Sequence, residues 1–197
     1  MKTKKQAKWL FVLGIPLVVA LILIILPPLL KTYMIQAFKV PSGSMSPTLL
    51  VGDQILVDKQ ANSLESVKRK DIVVFLFPED PSKNFLSRII GLPGDVIRIK
   101  DKRLFLNDRP EEEPYVLYSD SRVMTAQIMP RDNFGPVTIP PGHLFVMGDN
   151  RDHSYDSRFW GFLEAAKLRG KVRRIYWSFD KETSSIRWDR IGDKPGG

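Results

Sequence analysis

The sequence contains no cysteine and only two histidines, His143 and His153, among its 197 residues. The lack of cysteine excludes disulfide bonds, thiolate chemistry and cysteine-based metal sites. It is also compatible with an oxidising compartment. With two histidines in the whole chain, a histidine-rich metal site is excluded as well.

The composition is that of a globular chain with an excess of basic residues. Hydrophobic residues make up 43% and charged residues 26%, and the net charge is +8. Binding to nucleic acid would require a clustered basic patch on a recognisable module, and the sequence contains none. Four lysines instead lie within the first eight residues, where we expect them to be attracted to anionic lipid head groups. We therefore expect a lipid bilayer, and no nucleic acid, as a partner.

An uncharged, apolar run of 22 residues extends from Trp9 to Leu30. A membrane-spanning helix needs about 20 such residues. The lysines precede the run and only Lys31 follows it closely, so the positive-inside rule places the N-terminus in the cytoplasm. A cleaved signal peptide would have a shorter apolar core and a small-x-small site behind it. We predict a cytoplasmic N-terminus (1–8), an uncleaved single-pass anchor (9–30), an extracytoplasmic domain (31–191) and a flexible tail (192–197).

Beyond the anchor, short β-branched and alternating runs are separated by turn residues, a pattern typical of all-β proteins. We predict an all-β domain with a barrel-like or coiled sheet, carried on one N-terminal transmembrane helix. A small extension is expected over about 101–142, and only Leu163–Leu168 indicates a short helix. The predicted strands are 34–40, 53–58, 71–77, 85–90, 96–100, 103–107, 137–139, 143–147, 171–179 and 185–188, with a loop at 78–82.

The stretch Val40–Leu49, with the sequence VPSGSMSPTL, is the first candidate for chemistry. Gly43 permits a tight backbone conformation beside Ser44. Pro41 and Pro47 restrict the chain on either side of the turn. A serine on a stiff turn next to glycine suits a nucleophile whose Oγ must be presented at a fixed angle.

Four stretches in order resemble the sequence boxes of the bacterial type I signal peptidases. They are Pro41–Leu49, Lys70–Phe75 (KDIVVF), Arg88–Asp95 (RIIGLPGD) and Gly148–Arg158 (GDNRDHSYDSR). Together with the apolar segment, the resemblance covers nearly the whole chain. It implies a β-rich, monomeric serine endopeptidase of the bacterial inner (plasma) membrane, with its catalytic domain on the periplasmic or extracytoplasmic side and no cofactor or metal.

The resemblance implies roles for individual residues. Ser44 is the expected nucleophile, and its backbone N–H together with the Ser42 hydroxyl forms the expected oxyanion hole. The implied supporting residues are Ser154, which hydrogen-bonds the base, and an ion-pair network of Asp156, Arg158 and Arg88. The implied substrate subsites, suited to the small-x-small (Ala-x-Ala) end of a signal peptide, are lined by Val40, Pro41, Met45, Leu49 and Leu86.

The sequence departs from the family pattern at Ser87, where the family has the lysine that acts as general base. A serine hydroxyl is not a general base at neutral pH. Three explanations follow: an intact but inactive or slow site, a substitute base such as Lys83 or His153, or a function that needs only binding of signal peptides or help to the export machinery. A related serine–lysine protease with another dedicated substrate, such as a repressor or a pilin, is a further alternative.

Overall fold

The computed structural model describes residues 19–24 and 34–195. The chain divides into two units, residues 1–36 and 37–197, and the second contains the features described below except the first two residues of the first strand. The predicted membrane anchor, residues 9–30, lies outside the described residues except for 19–24, which are helical. Among the residues with a described position, no helix is both long and apolar enough to cross a membrane.

The described part of the second unit is mostly β-sheet, which confirms the all-β part of the predicted fold class. Helical structure in it is limited to single turns at Gly43–Met45, Leu64–Ser66, Arg151–His153, Ser157–Trp160, Ala165–Lys167 and Trp188–Arg190. The strands are β1 Ile35–Lys39, β2 Asp53–Asp58, β3 Ile72–Phe77, β4 Asp80–Gly91, β5 Val96–Lys100, β6 Arg103–Leu106, β7 Arg109–Pro110, β8 Phe134–Thr138, β9 His143–Met147, β10 Leu163–Glu164, β11 Leu168–Asp180 and β12 Ser185–Ile186.

The main sheet has the strand order β1-β2-β11-β3-β4-β9-β10, and β12 pairs with β11. β3 is a run of β-branched and aromatic residues because it is covered on both faces. Ile72 and Val74 pack in one core with Val40 and Met45, whereas Phe75 packs in a second core on the other face. β2 alternates between buried and half-buried residues, as expected for a strand with one covered face.

A second sheet has the order β7-β6-β5-β8 and contains the predicted extension. Its hairpin, β5 and β6, pairs Ile97 with Leu106 and Lys100 with Arg103, as the alternating pattern predicted. The apolar residues of this sheet share a core with Ile90 of β4 and with Phe145 and Met147 of β9. The extension therefore completes the hydrophobic core of the domain and has no separate core of its own.

Several local predictions were wrong, including a strand predicted over 185–188 that ends at Ile186. The predicted helix at Leu163–Leu168 is instead the short strand β10, which pairs Leu163 with Leu144, followed by the turn Ala165–Lys167. Six residues are too few to hold a helix without tertiary support, and the fully buried Leu163 packs against β9 instead. The predicted loop at 78–82 is shorter than expected because β4 already begins at Asp80.

The chain remains hydrogen-bonded beyond the predicted start of the tail. The amide of Gly192 donates to the carbonyl of Ile175 at 2.8 Å, and the amide of Ile175 donates to the carbonyl of Asp193 at 3.0 Å. These bonds fix residues 192 and 193 on β11.

Candidate active site

The serine stretch forms a single 3-10 turn, Gly43–Met45, with Ser42 extended before it. The Oγ atoms of Ser42 and Ser44 lie 3.2 Å apart. Because the first N–H groups of a helical turn have no partner within the turn, the Ser44 amide is left without an acceptor among the described residues. The candidate nucleophile Ser44 thus lies beside the Ser42 hydroxyl, and the roles of nucleophile and oxyanion donors stay predictions of the resemblance.

Met45 and Leu49 do not line a substrate subsite, which corrects the expectation from the sequence. Both side chains are fully buried in the core with Val40 and Ile55. The amide of Leu49 donates to the carbonyl of Met45 at 2.9 Å, so the two side chains point inward from one turn of backbone. Their burial among residues of the main sheet fixes the serine turn to that sheet.

The turn is also held at its downstream end by the buried Asp53 at the start of β2. Its carboxylate accepts hydrogen bonds from the amide of Leu50 at 2.9 Å and from the side chains of Ser178 and Arg190, both at 2.6 Å. Burial by itself would raise the pKa of Asp53, but these hydrogen bonds outweigh it and the pKa is lowered. Arg190 also donates to the carbonyl of Thr48 at 2.9 Å.

A cleft of about 420 Å³ opens beside the serine turn. Of the predicted subsite residues, Val40, Pro41 and Leu86 line it. Further residues that line the cleft were not predicted from the sequence. They are Phe38, Ile55, Val74, Asn84, Phe85 and Tyr155. Ile55 and Val74 read as ordinary core residues in their strands, so no local signal distinguished them. Four serines, Ser42, Ser44, Ser87 and Ser154, reach the same cleft.

The free edge of β4 forms one wall of this cleft. β4 pairs with β3 along its length, but its pairing with β9 begins only at Arg88. Within the described part of the chain, the segment from Asn84 to Ser87 therefore has no strand on its second edge, and it lines the cleft. An extended peptide can hydrogen-bond such an edge as an additional strand.

Ser87 is buried, with 4% of its surface exposed, and lines the cleft from β4 opposite Val73. It precedes Arg88 and lies where the resemblance expects a lysine. Since the cleft beside it is open, the position has room for a longer side chain. The chemistry of the site therefore depends on which group, if any, replaces the missing amine.

Lys83 is not placed to replace that amine. It is absent from the cleft lining, two-thirds of its side chain is exposed, and its amine lies 2.8 Å from the Asp80 carboxylate. That hydrogen bond raises the pKa of Lys83 and keeps the amine protonated. His153, by contrast, lines the cleft together with Ser44 and Ser87 from the turn Arg151–His153.

Asp156 and Arg158 form a buried, two-pronged ion pair behind the cleft, as the resemblance implied. The guanidinium donates to both carboxylate oxygens at 2.8 Å, and both residues are almost completely buried. Asp156 also accepts the amide of Gly148 at 3.1 Å. Arg158 reaches further, to the backbone carbonyls of Arg131 and Arg151, both at 2.8 Å. The pair thus connects different parts of the last sequence box, at Gly148 and Arg151, and links the box to Arg131 in the loop before β8.

Arg88 is not a member of that pair, which is a second correction. Its guanidinium donates to both carboxylate oxygens of Asp149 at 2.8 and 2.6 Å and to the carbonyl of Lys70 at 2.8 Å. It also lies over the ring of Tyr115, 4.0 Å from the ring centre. The resemblance implied one network, but the two carboxylates of the box bind different arginines: Asp149 binds Arg88, and Asp156 binds Arg158.

The remaining charged residues of the box attach it to the second sheet and its loops. Arg151, which is 2% exposed, donates to both carboxylate oxygens of Glu113 at 2.8 and 2.6 Å. Asp152 accepts the amine of Lys102 at 2.9 Å. Charges inside a protein need such partners. These contacts explain why the box is rich in charge although most of it is buried.

Gly148 lies at a close approach between the last box and the serine turn. A methyl group there would overlap with Ser154 Oγ and would lie 2.5 Å from the Ser44 carbonyl oxygen. We expect Gly148→Ala to reduce the free energy of unfolding by about 1–3 kcal/mol, measured by urea denaturation, because the core must shift to admit it. Gly43→Ala is the control, since its methyl group would make an ordinary 3.5 Å contact with Ser46. Equal stability of the two variants would contradict the close approach.

No group of three or more potential metal ligands occurs in the part of the chain that the structure describes. The arrangement offers hydroxyls, backbone donors and an apolar cleft with a free strand edge. Acyl transfer to a serine uses such elements and also requires a general base.

Comparison with known proteins agrees with the geometry. The model of a protein family described as signal peptidase, peptidase S26, matches residues 10–177. The chain belongs to this family. Among curated signal peptidases I, the protein of Pseudomonas fluorescens is 36% identical over 83% of this chain and 72% of its own length. That of Bacillus licheniformis is 32% identical over 82% of this chain and 87% of its own length.

A solved signal peptidase I from Enterococcus faecalis is 31% identical to the chain, covers 53% of it and 95% of its own length, and has a TM-score of 0.43.

Proposed function

We propose that this chain is a membrane-anchored serine endopeptidase that cleaves N-terminal signal peptides from exported preproteins after small-x-small sites. The observation that carries the proposal is the convergence of Ser42 and Ser44 at the mouth of an apolar cleft whose wall is a free strand edge. Curated relatives named signal peptidase I support the same reaction class.

In the proposed reaction, the end of the signal peptide adds as an extended strand along the free edge of β4. Small side chains enter the apolar pits lined by Val40, Pro41 and Leu86, and Ser44 Oγ attacks the carbonyl carbon that follows. The developing oxyanion accepts hydrogen bonds from the Ser44 amide and the Ser42 hydroxyl. The proton of Ser44 has to leave to a base, and this is the weakest part of the site because Ser87 provides no amine.

The membrane anchor of the proposal is the apolar run 9–30, preceded by lysines that keep the N-terminus in the cytoplasm. A catalytic domain tethered in this way meets its substrate where the apolar helix of the signal peptide leaves the bilayer. The proposal includes a monomer in the bacterial inner (plasma) membrane, with the catalytic domain on the extracytoplasmic side and signal peptides as its protein partners.

The alternative function is that of an inactive relative that binds signal peptides or assists the export machinery, and Ser87 is the observation that favours it. The buried Asp156–Arg158 pair and the close contact of Ser154 with Gly148 favour a site built for catalysis. We therefore rank an impaired peptidase before a binding protein.

The proposed specificity is tested with a detergent-solubilised preprotein whose signal ends in Ala-x-Ala. Replacing either alanine of the substrate with leucine should slow cleavage by about 10–200-fold or more, because a shallow pit rejects added methylenes. Ser44→Ala should abolish cleavage and serves as the blank. Cleavage that persists in Ser44→Ala, or that does not distinguish alanine from leucine, would contradict the proposal.

A further inference from the structure

Asn150 of the last sequence box contacts the serine turn at two adjacent points. Its backbone amide donates to the carbonyl oxygen of Ser44 at 3.0 Å. Its side-chain Nδ2 donates to the carbonyl oxygen of Gly43 at 3.2 Å. Asn150 is about nine-tenths buried, with 9% of its surface exposed. One residue, 106 positions after Ser44 in the chain, therefore holds the peptide groups on both sides of it.

The Gly43 carbonyl and the Ser44 amide are opposite ends of one peptide group. A peptide group is planar, so fixing the direction of the carbonyl also fixes the direction of the N–H. A hydrogen bond accepted by the carbonyl also polarises the group and makes its N–H a stronger donor. The side chain of Asn150 therefore acts on the amide that the proposed mechanism uses to stabilise the oxyanion.

The orientation of the Asn150 amide follows from its surroundings. A carbonyl oxygen only accepts hydrogen bonds, so the nitrogen of the side chain must face Gly43. Its Oδ1 is buried and has no donor among the described residues.

The backbone around Asn150 is held in turn by Leu117, which lies within the extension. The amide of Leu117 donates to Asp149 at 2.9 Å and the amide of Arg151 donates to Leu117 at 3.0 Å. These backbone bonds on both sides of Asn150 hold its position, and its Nδ2 donates to Gly43 from there.

We infer that Asn150 is a positioning residue that aims and polarises the Ser44 N–H toward the developing oxyanion. The inference rests on the proposed function, in which Ser44 is the nucleophile. An interaction of this kind grows as negative charge develops on the carbonyl oxygen and is small for a neutral substrate. Loss of the Asn150 side chain should therefore lower kcat and leave KM nearly unchanged.

The test uses two ligands that end in Ala-x-Ala, a peptide boronic acid and the matching peptide amide. Ser44 Oγ bonds to the trigonal boron and loses its proton to solvent, which gives a tetrahedral boronate anion with an oxygen in the oxyanion position. The amide ligand binds the same cleft without forming this anion. The ratio of the two affinities reports stabilisation of the anion and is independent of turnover by the impaired site.

We expect Asn150→Ala to weaken boronate binding by about 10–100-fold, part of the 10²–10³-fold effect of losing an oxyanion donor outright, while amide binding changes little. Asn150→Asp, which keeps the size of the side chain but loses the NH₂ donor, should behave in the same way. Asn133→Ala is the matched control, because it removes an amide that donates to the Met124 carbonyl at 2.9 Å in the loop before β8.

An unchanged boronate affinity in both Asn150 variants, or an equal loss for boronate and amide ligands, would overturn the inference. The Ser44→Ala variant separates this failure from failure of the proposed function. If boronate binds the starting protein no better than it binds Ser44→Ala, Ser44 is not the nucleophile, and the proposed function and the inference both fall.

Discussion

Replacing Ser87 with lysine is expected to raise the rate of signal-peptide cleavage by about 10²–10⁴-fold, the usual contribution of a well-placed general base. Ser87 is buried and lines the same cleft as Ser44 and Ser154. In this apolar setting, desolvation favours the neutral form of an introduced amine, which is the form that accepts the Ser44 proton. The measurement is the initial rate of cleavage of a detergent-solubilised Ala-x-Ala preprotein by both proteins.

Ser87→Met is the matched control, because it has a similar length and no amine. The double variant Ser44→Ala/Ser87→Lys controls for cleavage that does not depend on the nucleophile. A folded Ser87→Lys variant that is no faster than the starting protein would show that the base does not belong at this position.

If the starting protein already cleaves at a rate that Ser44→Ala abolishes, another residue accepts the proton. His153 is then the first candidate, since its ring lines the cleft and an imidazole is a common general base. In that case His153→Ala should remove the activity of the starting protein but leave most of the activity of Ser87→Lys.

Replacing Arg158 with alanine is expected to reduce the free energy of unfolding by about 3–5 kcal/mol, the usual cost of leaving one charge of a buried pair alone. The change would strand the Asp156 carboxylate, which is 0% exposed, and would remove the donors to two buried backbone carbonyls. Urea denaturation of the starting protein and the variant measures the difference.

Arg173→Ala is the matched control for the loss of an arginine. Arg173 pairs with Asp58 at 2.6 Å on the surface, where its side chain is 54% exposed. Exposed pairs contribute about 0–1 kcal/mol. The free energy of unfolding of this variant should therefore be close to that of the starting protein. Equal losses in the two variants would mean that the Asp156–Arg158 pair has no special role in holding the last box.

Much of the fold could be predicted because its strands carry their signals locally. β2, β5 and β9 have the predicted bounds, since each is a short alternating or β-branched run between turn residues. The region around Leu163 was misassigned because six residues carry too little periodic signal and their conformation depends on burial against β9. The membrane anchor stays a prediction of the sequence.

The amino-acid sequence alone predicts the serine turn and the boxes around it, and it shows Ser87 where the resemblance expects a lysine. These are matters of residue type and spacing along the chain, and no folding is needed to read them. The order of short apolar strands likewise determined the fold class, because alternation is a property of the strand itself.

Three features could be read only from the folded domain: which carboxylate each arginine binds, which apolar residues line the cleft and which residue holds the serine turn. Arg88 binds Asp149, which is 61 residues away in the sequence. Asn150 donates to Gly43, which is 107 residues away. Met45 and Leu86 are both apolar side chains, yet Met45 lies in the core and Leu86 lines the cleft. Such differences depend on contacts between segments that are distant in the sequence. A local pattern of residues does not specify which distant segment will pack against it.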